Sequence, residues 1–208
     1  MTQNNQKIPE GWSVKKLGEC FSLSSGDFKQ KNTDEKGIYP VFGGNGISSY
    51  ISIYNSDDDN IMIGRVGENC GCVHRYKGKC WITDNALYIK EKKLKYSNSF
   101  MYFLLFNKNL SKLRNKGGQP LVSQSSIYLE KILLPPLPEQ EKIAEILGTW
   151  DTAIEKLSAL IEQKKQLKKG LMQRLLTGKQ RLPGFSTPWK KVKLGEIADL
   201  YQPKTISQ

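Results

Sequence analysis

The chain has 208 residues, of which 38% are hydrophobic, and its mean hydropathy is −0.51. No apolar run reaches the length that crosses a bilayer, and the N-terminus lacks the apolar segment of a secretion signal. These features exclude a membrane-spanning protein and lead us to expect a cytoplasmic one. Lysine and arginine number 32 against 20 acidic residues, and the net charge of +12 favours a polyanionic partner such as nucleic acid.

Residues 8 to about 134 consist of short alternating segments separated by glycine, which is typical of a mixed α+β domain. The alternation predicts strands at 61–65, 71–76, 80–82 and 86–89. Lys77–Lys79 contains a glycine and is predicted to be a hairpin turn between two of these strands. The apolar run Ser99–Phe106 predicts a buried helix, with Ser97 or Ser99 as its N-terminal cap.

Four cysteines, at 20, 70, 72 and 80, and the single histidine, His74, could suggest a zinc site. Cys70 and Cys72 are separated by one residue, whereas ligand pairs in structural zinc sites are usually separated by about two to four. In an alternating strand this spacing places both sulfur atoms on one face, and free cysteine is among the most buried residue types. We therefore favour small core-facing cysteines over a metal site, and we expect no disulfide.

Leu134–Pro138 forces an extended backbone and marks the end of the first domain. Glu139 and Glu141 follow in what we expect to be the first turn of a helix, where the helix dipole favours negative charge. No proline occurs between this turn and Leu176, and Gly178 is expected to end the helix. About forty residues at ~1.5 Å per residue give a rod of roughly 60 Å.

Apolar residues recur three and four positions apart along this rod and form one stripe. The stripe must be covered, most simply by a second helix in a coiled coil; alternatively, the rod folds flat against its own domain. Lys164 and Lys168 interrupt the stripe, so we expect the interface not to be uniform. The predicted interface residues are Ile143, Leu147, Trp150, Ile154, Leu157, Leu160, Leu171 and Leu175.

The segment Trp12–Glu19 is restated at Trp189–Glu196, with the same spacing between tryptophan and the Leu-Gly-Glu triplet. The copies lie 177 residues apart, which is too long for a solenoid repeat and equals one domain plus one rod. The repeat indicates a domain–rod–domain–rod plan, of which this chain holds the first half and the start of the second. We expect Trp189 and Leu194 to be buried at a joint, either at the rod end of the same chain or on a partner's first domain.

Five segments together resemble the specificity subunit of type I restriction–modification systems. They are Trp12–Glu19, Tyr39–Gly46, Trp81–Ala86, Leu134–Leu147 and Leu175–Lys179, and they are spread over essentially the whole chain. The proline-to-helix entry and the end of the rod carry most of the resemblance. The chain is similar to a half-length form of that subunit, with one target-recognition domain.

The resemblance implies a subunit with two target-recognition domains, each reading half of a bipartite duplex DNA site. Long helices separate the domains as an antiparallel pair and dock DNA methyltransferase (modification) subunits, through which the restriction subunit joins. Methylation and cleavage then belong to these partners, and the specificity subunit needs no cofactor and no metal. Because this chain has one such domain, we expect a homodimer that reads a palindromic bipartite target; a truncated or split subunit is the alternative.

The expected fold class is therefore α+β, with one mixed target-recognition domain at residues 1–137. A long α-helix follows at 138–178, forms an antiparallel coiled coil with a partner helix, and serves dimerisation and methyltransferase docking. Residues 179–208 are expected to be a linker and the start of a second repeat.

Two patterns could indicate catalysis by the chain itself. Phe42–Gly46 resembles the S-adenosylmethionine loop of DNA methyltransferases, but Pro40 stands where an acidic residue is expected and no strand–helix frame surrounds it. Asp57–Asp59 and Glu91–Lys93 could be arranged as nuclease ligands, but an acidic run before a strand is more typical of a solvated turn. We therefore expect no catalytic residues and interpret Phe42–Gly46 as a turn that either presents Asn45 to DNA or is purely structural.

Recognition of DNA uses basic side chains for phosphates and guanine and amide side chains for adenine. Such residues occur in the polar and glycine-rich loops of the first domain. The DNA-binding candidates are Lys29, Lys31, Asn45, Ser48, Ser49, Tyr50, Arg65, Lys77, Lys79, Lys116, Gln119, Ser123 and Gln124. The rival interpretation is a structural or regulatory coiled-coil protein that binds only other proteins, which explains the rod but neither the polar loops nor the positive charge.

Overall fold

The first part of the chain is built around β-strands, eight of them within residues 8–28, 37–115, 117–199 and 201, which the computed structural model describes. They are β1 (Ser13–Lys16), β2 (Phe21–Ser25), β3 (Tyr39–Gly43), β4 (Gly46–Ile51), β5 (Ser56–Gly64), β6 (Val73–Ile82), β7 (Ala86–Lys92) and β8 (Lys131–Leu134). Six of them form one sheet in the order β2-β7-β5-β6-β3-β4, in which β3 and β6 are parallel and the other neighbours antiparallel. The pair β1 and β8 forms a separate antiparallel ribbon.

Helices complete a mixed α+β architecture, which confirms the expected fold class. They are α1 (Leu17–Cys20), α2 (Asn98–Asn107), α3 (Gln124–Leu129) and the long α4 (Leu137–Leu175). The chain divides into two compact units, Met1–Asp151 and Thr152–Gln208. No described helix is long and apolar enough to cross a membrane.

The core lies between α2 and the centre of the sheet. Ile61 and Ile63 of β5 share one buried cluster with Phe100, Met101 and Leu105 of α2. The helix starts where the sequence predicts, because the Ser97 hydroxyl accepts a hydrogen bond from the backbone N–H of Phe100 at 3.4 Å.

The predicted hairpin turn at Lys77–Lys79 is wrong. Strand β6 continues through it without interruption and pairs with β5, so that Lys77 faces Asp59 and Lys79 faces Asp57. Opposite charges in facing positions stabilise an antiparallel pair, and this pairing outweighs the turn preference of a single glycine. The acidic run Asp57–Asp59 therefore lies in a strand and is not a solvated turn.

The expectation that all the cysteines face the core is wrong for Cys72. Cys20, Cys70 and Cys80 are buried, whereas Cys72 is exposed, and all four thiols are free. Strand alternation does not apply to Cys70 and Cys72, because a tight turn with a Gly71 φ of +91° precedes β6. Burial raises the pKa of the Cys80 thiol to about 11. Within the described ranges, no three histidine, cysteine or acidic side chains are grouped so that they could hold a metal ion.

The start of α4 is fixed by a buried amide. Gln140 is 2% exposed; its Nε2 donates to the Pro135 carbonyl at 2.8 Å and its Oε1 accepts from the Ser97 N–H at 3.0 Å. At the surface, the Trp12 indole donates to Glu139 Oε2 at 3.0 Å. One glutamine therefore joins the proline segment, the cap of α2 and the first turn of α4.

The apolar stripe of α4 is open in this chain. Its predicted interface side chains from Leu147 to Leu171 are between 40% and 66% exposed, and Trp150 is the most exposed of them. Ile143 differs, because it packs partly buried against the core, and Leu175 is also half-buried. The described residues of this chain thus leave most of the stripe available to a partner.

The second copy of the repeated segment reproduces one local hydrogen bond of the first, although α1 is an α-helix that follows a strand. Leu194–Glu196 forms a short 3-10 helix in which the Lys193 N–H donates to Glu196 at 3.4 Å. At α1 the Lys16 N–H makes the same bond to Glu19, at 2.8 Å. The expected burial does not occur within this chain, since Trp189 and Leu194 are 58% and 61% exposed.

Candidate nucleic-acid interface

Four loops meet beside the sheet and form a polar cleft of about 350 Å³. They are the two-residue turn between β3 and β4, the segment after β5, the turn between β6 and β7, and the loop that precedes α3. We call it the amide cleft; its lining residues are Gly44, Asn45, Val66, Gly67, Glu68, Asn69, Asn85 and Gln119.

Backbone hydrogen bonds hold the loops together. The Arg65 N–H donates to the Asn85 carbonyl at 2.9 Å, and the Gly67 N–H donates to the Pro120 carbonyl at 2.9 Å. In return, the Val122 N–H donates to the Arg65 carbonyl at 2.8 Å. The segment after β5 is therefore bonded to both the β6–β7 turn and the loop before α3, and the cleft is formed by the backbone itself.

Glycines allow the β3–β4 turn to approach this frame. A Cβ added at Gly64 would lie 2.1 Å from the Gly44 carbonyl oxygen, and one added at Gly44 would lie 2.8 Å from the carbonyl oxygen of Val66. Both distances are shorter than a carbon–oxygen contact permits. Gly44 of the Phe-Gly-Gly-Asn-Gly segment thus serves close backbone packing at the cleft, which brings Asn45 to its rim.

The amide side chains of the cleft are unpaired. Asn45, Asn69, Asn85 and Gln119 are exposed, and none of these four side chains hydrogen-bonds to any residue that the structure describes. Their donors and acceptors therefore face solvent, where a ligand can reach them.

The charges around the cleft are unlike those of a phosphate site. Glu68 lines it, and no described lining residue is basic. The guanidinium of the adjacent Arg65 donates to the Ser25 hydroxyl at 3.2 Å. The cleft can exchange hydrogen bonds with a neutral polar group, whereas Glu68 disfavours an anion.

Three of the DNA-binding candidates meet at this cleft. Asn45 and Gln119 line it, and Arg65 contributes its backbone to the frame. Sequence reasoning missed Asn69 and Asn85, although each lies in a turn that directly follows or precedes a strand, a position typical of binding residues.

Two further candidates have local structural roles near the cleft. Ser123 caps α3, since its hydroxyl accepts from the Ser126 N–H at 3.2 Å, and Gln124 begins that helix. Lys29, Lys31 and Lys116 lie outside the described residues.

The candidates on β4 occupy the edge of the sheet. The Ser48 hydroxyl donates to the Val41 carbonyl at 3.2 Å, and Tyr50 is exposed. The Ser49 hydroxyl is buried and has no hydrogen-bond partner among the described residues. Ser48 thus supports the β3–β4 hairpin, and of these three only Tyr50 offers a large exposed surface.

The two lysines of β6 lie away from the cleft. Lys77 and Lys79 face the start of β5, whereas Arg65 follows its end, roughly 20 Å away at ~3.3 Å per residue. The Lys79 ammonium lies 4.7 Å from the centre of the Tyr54 ring. These residues form a second, charged and aromatic surface that the structure does not join to the amide cleft.

Asp59, one of the residues considered for catalysis, is held in a structural ion pair. Asp59 accepts two hydrogen bonds from the Arg75 guanidinium, both at 2.7 Å, and these bonds lower the pKa of the Asp59 carboxyl. Burial lowers the pKa of His74, whose Nε2 is buried and has no hydrogen-bond partner among the described residues.

Residues 9–166 match the family model described as the type I restriction modification DNA specificity domain. The chain belongs to this family. The match covers the amide cleft and the first part of α4, and it confirms the family that the sequence motifs resemble. The first domain is thus a DNA specificity domain of the type I restriction–modification family.

Curated relatives are specificity subunits of type I restriction enzymes. The chain is 31% identical to the EcoprrI subunit of Escherichia coli over 143 residues, which is 66% of this chain and 35% of the relative. It is 29% identical to the MjaVIII subunit of Methanocaldococcus jannaschii over 221 residues, covering 95% of this chain and 52% of the relative. The chain spans about half the length of the curated relatives it matches, or less.

A solved structure shares the fold of this specificity domain. The S subunit of a type I restriction–modification system from M. genitalium matches with a TM-score of 0.68 at 21% identity. The match covers 83% of this chain and 47% of that structure.

Proposed function

We propose that this chain is the DNA sequence-recognition subunit of a type I restriction–modification complex, acting in the cytoplasm. Residues 1–137 read one half of a bipartite duplex site and direct the methyltransferase and endonuclease subunits that carry out the chemistry. Residues 138–178 dimerise and dock the methyltransferase, and residues 179–208 are a linker and the start of a second repeat. The observation that carries the proposal is the amide cleft, a preformed polar site in a domain of this family.

The charge of the domain supports contact with duplex DNA. Residues 1–137 contain 19 basic and 12 acidic side chains. Phosphate contacts hold such a domain on DNA, while hydrogen bonds to base edges give the sequence preference. The lysines of the second surface are candidates for the first role and the amide cleft for the second.

The exposed stripe of α4 supports a homodimer. Leucine, isoleucine and tryptophan at coiled-coil spacing are 40% to 66% exposed from Leu147 to Leu171. A second copy supplies the same stripe, so a two-fold axis lets each rod cover the other.

The charge distribution along α4 favours an antiparallel arrangement. Residues 137–156 contain five acidic and two basic side chains, whereas residues 157–175 contain one acidic and five basic ones. Parallel rods would place like charges beside each other, and antiparallel rods place the acidic half against the basic half. Two identical domains related by a two-fold axis then read an inverted repeat, so the target is palindromic and bipartite.

In such a dimer, the tail that follows the rod reaches the partner chain. Antiparallel pairing brings the end of one rod near the start of the other. There the partner exposes an apolar groove of about 430 Å³, lined in part by Trp12, Phe106 and Leu147. The aromatic and basic tail around Trp189 then contacts the partner's first domain, close to the acidic first turn of its α4.

Two measurements on the purified chain test this function. Light scattering at micromolar concentration should give the mass of two chains. Duplex DNA binding should weaken steeply with salt, because each phosphate contact releases counterions. A mass of one chain, both alone and with the methyltransferase subunit, contradicts the homodimer. A dimer that binds no DNA contradicts the recognition function and leaves a coiled-coil protein that binds only proteins.

A further inference from the structure

We infer that the amide cleft is a base-reading site for adenine, presented by an A·T pair in the major groove of duplex DNA. The inference rests on the proposed function and names the residues that carry specificity. They are Asn45, Asn69, Asn85 and Gln119.

The hydrogen-bond donors and acceptors of the cleft match the major-groove edge of adenine. In the major groove, adenine offers the N7 acceptor beside the N6 amino donor. A carboxamide carries one acceptor oxygen beside one donor NH₂, so asparagine or glutamine matches this edge with two bonds at once. The cleft contributes four such groups, and none of them is engaged by a described residue of the protein.

The charges of the cleft fit adenine better than guanine or phosphate. Guanine is most often read by arginine or lysine, and no described lining residue is either. The guanidinium of Arg65, next to Val66 of the cleft, donates one of its N–H groups to the Ser25 hydroxyl. Glu68 repels phosphate but can accept a hydrogen bond from an exocyclic amino group, which adenine carries at N6.

The frame of the cleft fixes the backbone from which these side chains project before DNA binds. Its loops are joined by backbone hydrogen bonds of 2.8 to 2.9 Å and by the close packing of Gly44 against Gly64. A preformed frame loses little backbone freedom on binding, so the selectivity comes from the side chains.

The test is selection from a library of random duplex DNA by the purified chain, alone and with its methyltransferase subunit. The wild type and the variants Asn45→Ala, Asn69→Ala, Asn85→Ala and Gln119→Ala are compared. Gln163→Ala is the control, because Gln163 is an exposed amide side chain on α4 that lines neither the cleft nor the apolar groove. Each selected motif is scored position by position, and binding to an unselected duplex is measured in parallel.

The wild type should enrich a motif with at least one A·T position. At least one cleft variant should reduce discrimination at such a position by roughly 5- to 150-fold. Binding to the unselected duplex should change little, since phosphate contacts remain, and Gln163→Ala should select the wild-type motif. As a second readout, the isosteric Asn→Asp change at the sensitive position should shift preference from adenine toward cytosine, whose N4 amino group needs only an acceptor.

The experiment distinguishes failure of the base-reading inference from failure of the proposed function. A wild-type motif that all four alanine variants reproduce overturns the inference and leaves the proposed function intact. A wild type that shows neither a motif nor salt-dependent duplex binding, alone or in the complex, overturns the proposed function.

Discussion

Removing the indole of Trp150 should separate the two rods. This side chain is 66% exposed in the single chain and lies in the apolar stripe of α4. A buried aromatic side chain removes about 150–250 Å² from water, so covering the exposed part of Trp150 removes roughly 100–165 Å². At ~25 cal/mol per Å² this stabilises the dimer by about 2.5–4 kcal/mol per copy.

The net effect is smaller, because alanine keeps part of this area and ordering a side chain at an interface costs about 0.5–1.5 kcal/mol. A net loss of about 2 kcal/mol per copy remains. The substitution occurs in both copies, so Trp150→Ala should cost about 4 kcal/mol, which raises the dissociation constant of the dimer by roughly 10³-fold.

Sedimentation over a dilution series measures this constant. Gln163→Ala is the control, since Gln163 is exposed on the same helix and lies about 220° around it from Trp150. Circular dichroism should show equal helix content in both variants at a concentration where the wild type is a dimer. Equal weakening by the two substitutions, or no weakening by Trp150→Ala, would refute the assigned interface.

Two further predictions concern the stability of the first unit. Gln140→Met leaves the Ser97 N–H and the Pro135 carbonyl without their buried partner, so urea denaturation should show a loss of about 2–4 kcal/mol; an unchanged midpoint would contradict this role. Arg75→Met removes the partner that keeps the pKa of Asp59 low, at a cost of about 1.5–3 kcal/mol near pH 7. The ion pair stabilises the fold fully above the pKa of Asp59 in the unfolded chain, about 3.9, and this stabilisation disappears as the pH falls through the lower pKa of Asp59 in the folded protein. The free energies of unfolding of Arg75→Met and wild type should therefore become more alike below about pH 4. If the free energies of unfolding of the two proteins differ by the same amount from pH 7 to pH 3, the ion pair is not the cause of the loss.

Local signals in the sequence predicted much of the architecture. The proline segment before Glu139 and the 3.6-residue period predicted α4, and Ser97 followed by apolar residues predicted α2. These features are encoded by neighbours a few residues apart, so no knowledge of the tertiary fold is needed to find them. The family also followed from such short segments.

The errors occurred where distant parts of the chain decide the outcome. Lys77–Lys79 forms a strand because the acidic run of β5 faces it, and Cys72 is exposed because a turn interrupts the alternation before β6. The amide cleft joins loops whose lining residues are between 16 (Asn69 to Asn85) and 74 (Asn45 to Gln119) positions apart. Their meeting depends on the sheet order and on the parallel pairing of β3 with β6, which periodicity does not encode.

Mapping of DNA methylation in cells that express this chain with its methyltransferase subunit tests the central claim most directly. The homodimer of recognition domains predicts one motif made of two half-sites that are inverted copies of each other, separated by a spacer of fixed length. The Trp150→Ala variant should lose methylation of this motif, whereas Gln163→Ala should keep it. An asymmetric motif, or methylation with no sequence preference, would contradict recognition by two identical halves.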